Sequence, residues 1–185
     1  MKNLSLIVIS AFFFSSSMAQ DKEHFLVELE SRSPDVKSMV KYFEGYPSIP
    51  IMAKDLNGVE HNLMDKKGKN VMLWFWNLDC PKCFEQIDAF NLLNQNYPDN
   101  LEIISFADNS KDDLNAFIAN RPIDIPIIPN SKTLADGPYG GDLGYPRIFI
   151  IDEFGVIKWV LPEVEMRGNF EAYSFLEMLH KSLLK

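Results

Sequence analysis

The chain has 185 residues, 18 basic against 26 acidic, a formal net charge of −8, and 46% hydrophobic composition. That length suits a single domain with a proper core, and the surplus of acid argues against nucleic acid or an anionic membrane surface as partner. Its two cysteines lie three positions apart and cannot staple a small exported domain, so the fold must stand on its core and the pair is free for chemistry.

Lys2 and the apolar run of residues 4–14, followed by Ser15, Ser16, Ser17, Met18 and Ala19, read as a signal peptide over residues 1–19. The run is too short for a stable membrane span. It holds no cysteine, which excludes lipid attachment to one at the cleavage site. The expected mature protein starts near Gln20 and is soluble. Residues 20–48 form an N-terminal extension: Ser33 caps and Pro34 opens a helix, with Val36, Met39, Val40 and Phe43 on one face. A hairpin follows, with Asn57-Gly58 as its tight turn between residues 51–55 and 59–63.

The domain proper is expected over residues 49–185. Residues 71–76, all apolar, suit a strand buried on both faces. A helix carrying Phe84, Ile87, Phe90 and Leu93 comes next, then a strand over residues 101–107. Ser110 caps a helix with Leu114, Phe117 and Ile118 on its inner face. Residues 147–152 and 156–161 make two strands around Glu153-Phe154-Gly155, and Gly168-Asn169 caps a closing helix with Phe170, Tyr173, Leu176, Leu179 and Leu183. The order β-α-β-α-β-β-α calls for an α/β fold, a central mixed sheet with helices on both faces.

Cys80-Pro81-Lys82-Cys83 stands where the buried strand gives way to a helix. A dithiol reacts as its thiolate, and the unpaired N–H groups and positive dipole end of a helix N-terminus stabilise that anion. Pro81 fits the first helical turn. Lys82 adds a cation beside the sulfur, and Asp79 opposes it. A half zinc site is the main rival for such a pair. It needs two more ligands, and His24, His61 and His180 show no ligand spacing. A structural disulfide is the blandest alternative, but it closes too small a loop to stabilise much.

The stretch Trp76-Asn77-Leu78-Asp79-Cys80-Pro81-Lys82-Cys83, and the stretch Gly144-Tyr145-Pro146-Arg147-Ile148-Phe149-Ile150-Ile151-Asp152 followed by Gly155, together resemble the thioredoxin superfamily. They are most similar to its TlpA/ResA-like branch, whose members are exported, and the Asp55-Leu56-Asn57-Gly58 hairpin resembles that branch as well. The resemblance covers about residues 49–184. It implies that Cys80 and Cys83 form a redox-active disulfide. It also implies that Pro146 is a cis-proline abutting that disulfide, with the Tyr145 backbone pairing to an extended substrate segment. Three positions depart from the pattern. Asp79 replaces the usual Trp before the first cysteine, as a helix cap or a tuner of the thiol. Trp74 occupies the place of thioredoxin's buried acid. Gln86 stands where the branch commonly has a carboxylate, which appears instead at Glu85, either a displaced proton acceptor for Cys83 or a solvated helix residue.

The expected function is therefore extracytoplasmic thiol–disulfide exchange, with Cys80 attacking and Cys83 resolving, and with Asp79, Lys82 and Glu85 as candidate tuning residues. The resemblance favours the reducing direction, with disulfide-containing exported proteins as substrates and a membrane-bound thiol electron donor. Neither a metal nor an organic cofactor is called for. The alternatives are a non-catalytic binding module on the same fold and a copper-handling protein, for which Met166 is the nearest sulfur partner. Peroxide reduction would want a Thr shortly before a lone cysteine, and Asn77-Leu78-Asp79 supplies none.

Overall fold

The computed structural model describes residues 34–96, 99 and 101–162. The expected leader at 1–19, the expected Ser33 cap, His24, Met166, His180 and the expected closing helix after Gly168 lie outside the described residues. The chain divides into two units, Met1–Ser38 and Met39–Lys185. Helix α1 (Pro34–Phe43) runs across that boundary, and the remaining elements belong to the second unit.

After α1 the backbone turns at Gly45, and residues 45–48 bond to a later strand: Gly45 N–H donates to Ile157 O and Ile157 N–H to Tyr46 O. Strands β1 (Met52–Lys54) and β2 (Glu60–Asn62) then form a separate two-stranded hairpin. The register Met52–Asn62 and Lys54–Glu60 continues into the expected flanks, where Asp55 N–H donates to Val59 O at 2.9 Å and Leu63 N–H to Ile51 O, so three residues, not two, make the turn around Asn57-Gly58. The Asp55 side chain organises this longer loop. Its Oδ1 accepts from the N–H groups of Asn57 (2.8 Å) and Val59 (2.9 Å), and Gly58 takes the left-handed conformation at φ +82°.

A 3-10 turn (Leu63–Lys66) leads to β3 (Asn70–Trp76), which is buried at every position. An unbroken apolar run can be satisfied only in the middle of a covered sheet, and β3 is the central strand. Helix α2 (Pro81–Asn96) carries the chain over to β4 (Leu101–Ala107), parallel to β3. Ser110 caps α3 (Lys111–Ile118) by accepting from Asp113 N–H at 3.2 Å. The short strand β5 (Ile127–Ile128), the helix α4 (Lys132–Asp136) and a second 3-10 turn (Gly141–Leu143) were not anticipated. They precede β6 (Arg147–Ile151) and β7 (Ile157–Pro162). The sheet order is β5-β4-β3-β6-β7, with β5, β4 and β3 parallel, β6 antiparallel to β3, and β7 antiparallel to β6.

Alternate residues of β3 build the two cores. On one face Trp74 and Trp76 stack at 4.9 Å, Phe90 of α2 packs edge-on to Trp74, and Phe117 of α3 lies 6.0 Å from Trp76. On the other, Phe75 meets Phe106, Tyr139 and Phe149, and Phe43 of α1 packs edge-on against Phe149. Phe43 and Phe117 are half-buried, and each of the others contributes about 1.5–3 kcal/mol by burial alone. Among the described residues no helix is long and apolar enough to cross a membrane.

His61 on β2 places Nε2 3.2 Å from Asp55 Oδ2 and Nδ1 3.9 Å from Glu102, which Lys66 also binds. Burial works to raise the Asp55 pKa, but the His61 bond and the Val59 and Asn57 N–H groups outweigh it and hold the carboxyl below its ordinary 3.8. A depressed pKa means stability that is present above the ordinary value and lost as pH falls through the folded one. Asp55→Asn should therefore cost about 1–3 kcal/mol at pH 7 and progressively less below pH 3.8. Denaturant melts of both proteins across pH 2.5–7 measure this, and a pH-independent difference would sink it.

Candidate functional site

At the end of β3 the chain must leave the sheet and start a helix within four residues. Asn77 makes the first bend: its side chain accepts from Asp79 N–H (3.0 Å), and its carbonyl accepts from Cys80 N–H. Cys80 then fills the cap position of α2. Pro81 is the first helical residue, and Cys80 Sγ accepts a hydrogen bond from Cys83 N–H at 3.1 Å. A sulfur here replaces the usual Ser or Asp oxygen, so the electrostatics that stabilise a cap also stabilise a thiolate. Cys80 and Cys83 form a disulfide, S–S 2.03 Å. Cys83 is fully buried, whereas Cys80 keeps 7% of its surface exposed.

The other side of the site comes from the start of β6. Phe75 pairs with Arg147 in the antiparallel register, so the residues just ahead of β6 lie at the same end of the sheet as the residues just after β3. The Tyr145–Pro146 peptide bond is cis. The third wall is the β4–α3 connection. Asp108 N–H donates to Trp76 O (3.3 Å), and Asn109 Oδ1 accepts from Leu78 N–H (2.8 Å). The loops after β3, after β4 and before β6 thus meet at one end of the sheet.

Of the tuning candidates, Asp79 and Glu85 are exposed and Lys82 is half-buried. Cys80, not Asp79, occupies the helix cap. Gln86, at the position where a carboxylate was looked for, is fully buried, and Trp74 fills its place in β3 as a core aromatic.

Sequence reasoning did not single out the side chains that hold Tyr145. Its hydroxyl donates to Asp108 Oδ2 at 2.8 Å, and the Arg147 guanidinium lies 4.6 Å from its ring centroid. Burial, then the Asp108 bond, push the Tyr145 phenol well above its ordinary pKa, so it stays protonated as a donor. Arg147 is itself completely buried. It donates to the carbonyls of Tyr139 (3.0 Å), Ala135 (2.6 Å) and Gly144, and stacks 5.2 Å from the Phe75 ring. The one signal available was a cation opening an otherwise apolar strand, Arg147-Ile148-Phe149-Ile150-Ile151. Asp108 and Asn109 carried no pattern beyond the end of a strand.

A disulfide across the first turn of a helix, on a β3-centred mixed sheet with a cis-proline at the same end of that sheet, together with the relatives below, defines a thioredoxin-like thiol–disulfide oxidoreductase. The chain belongs to the AhpC/TSA family, which its residues 45–160 match. It is 31% identical over 126 residues to the thioredoxin-like protein YneN of Bacillus subtilis, covering 66% of this chain and 73% of that protein. To the thiol–disulfide oxidoreductase ResA of Bacillus cereus it is 31% identical over 123 residues, covering 64% and 69%. The fold is that of a putative thiol:disulfide interchange protein DsbE from Chlorobium tepidum, with a TM-score of 0.62, 23% identity, and 74% and 97% of the two chains covered. StoA from Bacillus subtilis matches with a TM-score of 0.58 at 21% identity, over 72% and 98%. A further structural neighbour, TM-score 0.60 at 20% identity over 72% and 99%, is an exposed lipoprotein thioredoxin from Streptococcus pneumoniae.

Proposed function

We propose that this protein acts outside the cytoplasm and reduces disulfides of exported proteins. The Cys80 thiolate attacks one sulfur of a substrate disulfide, that S–S bond breaks, and a substrate thiolate leaves. Cys83 then attacks Cys80 Sγ and releases the second substrate thiolate. The substrate gains two electrons and two protons, and the Cys80–Cys83 disulfide is left behind. A membrane-bound dithiol donor returns the pair to its reduced form by the same exchange in reverse. Tyr145 and Pro146 form the edge on which the substrate lies, and Asp79, Lys82 and Glu85 tune the thiols.

The observation that supports this reading best is the Cys80 sulfur capping α2 and receiving the Cys83 N–H. In the disulfide form that donor already points at the Cys80 sulfur, where a thiolate would form on reduction. The test is insulin reduction by the dithiol form, with the Cys80–Cys83 potential measured against glutathione. Reduction of insulin and a potential below that of the glutathione couple are expected. Tight copper binding without insulin reduction would favour a metal-handling protein, and a strongly oxidising potential would reverse the direction.

A further inference from the structure

The proposed exchange needs two parts at a set separation, the Cys80 sulfur at the end of β3 and the Tyr145–Pro146 edge at the start of β6. These parts sit on different loops, and both loops meet the residues that follow β4. Asp108 N–H is bonded to Trp76 O, and Asn109 Oδ1 to Leu78 N–H, so this segment is tied to the approach to Cys80. On its other side Asp108 Oδ2 takes the Tyr145 hydroxyl at 2.8 Å. Arg147 holds the opposite end of the same residue: it stacks on the Tyr145 ring and bonds Gly144 O just ahead of it. The Asp108 carboxylate reaches this position with Oδ1 buried and without a hydrogen bond.

We propose that Asp108 is a positioning residue: through Tyr145 it fixes the distance between the docking edge and the Cys80 sulfur. This rests on the exchange reading above and concerns protein substrates, which need the edge. A small disulfide reaches Cys80 without it. The acceptor oxygen, not the charge, is what the brace requires, since the phenol donates to it.

Rates with insulin and with a small aromatic disulfide, measured on the full protein, test this. Asp108→Ala should lower the insulin kcat/KM relative to the small-disulfide rate about tenfold. Asp108→Asn, which keeps an acceptor oxygen, should restore the ratio, and Tyr145→Phe should reproduce the loss. Combining Tyr145→Phe with Asp108→Ala should cost no more than either alone. The Cys80–Cys83 potential should be the same in all variants. Equal losses on both substrates, an Asn variant as impaired as Ala, a shifted potential or additive losses would each overturn the brace. Tyr145→Phe removes a single oxygen, so it reports on the brace even if Asp108→Ala folds poorly. Failure of the parent protein on insulin would instead count against the exchange reading itself.

Discussion

Cys83→Ser should cut turnover of a protein disulfide on the order of a thousandfold while leaving a stable mixed disulfide between Cys80 and the substrate. The asymmetry follows from where the two sulfurs stand. Cys80 is the cap of α2 and retains some exposure, while Cys83 is closed off inside the first turn. An incoming disulfide can therefore meet Cys80 but not Cys83. Once the mixed disulfide exists, the resolving step needs only a neighbouring thiolate, which serine does not supply. Cys80→Ser should lose turnover as completely and trap nothing. Non-reducing gels and intact-mass spectra of reduced variants mixed with insulin give the answer. Trapping by Cys80→Ser would reverse the roles, and trapping by neither variant would remove exchange as the chemistry.

The placement of the two sulfurs was legible because it depends on local order: a strand, a cap position and a helix within a few residues. The turns at Asp55 and Asp152 are equally local, but the acceptor role of the two carboxylates went unread. Each accepts from the N–H groups two and four residues on, and each is followed by a glycine in the left-handed region, Gly58 or Gly155. The Asn57-Gly58 signal marked the hairpin and its flanks, and the turn is one residue longer than an isolated Asn-Gly pair would give because the Asp55 side chain stabilises it. The central strand and the two cores on its faces follow from the apolar run of β3. By contrast, β5 is two residues long and α4 five, too short for any periodicity to register. The parts of the site that went unread depend on register between distant segments. Nothing in the order Ala107-Asp108-Asn109 says that strand pairing will bring Asp108 to Tyr145, 37 residues further along.

Arg147→Leu should destabilise the domain by about 3–5 kcal/mol, the largest stability loss expected from a single change near the site. The guanidinium is fully buried, and among the described residues no carboxylate forms an ion pair with it. Its charge is compensated by three carbonyl groups and two aromatic faces. Burial pulls its pKa down, and Tyr145, Asp108 and Asp136 push back, so an arginine stays charged here. Leucine removes the cost of burying that charge but leaves three carbonyls without their donor, each worth about 1–3 kcal/mol when left unsatisfied under cover. The balance favours loss, because the guanidinium fork serves Ala135, Tyr139 and Gly144 together and no apolar side chain can. Lysine should recover only part of the stability, since one ammonium group cannot reach three carbonyls in a plane. The melting temperature of Arg147→Leu should fall by roughly 10 °C, with Arg147→Lys between it and the parent. A leucine variant within about 1 kcal/mol of the parent would mean that water replaces the guanidinium at these carbonyls, and that the loop before Pro146 is held by other contacts.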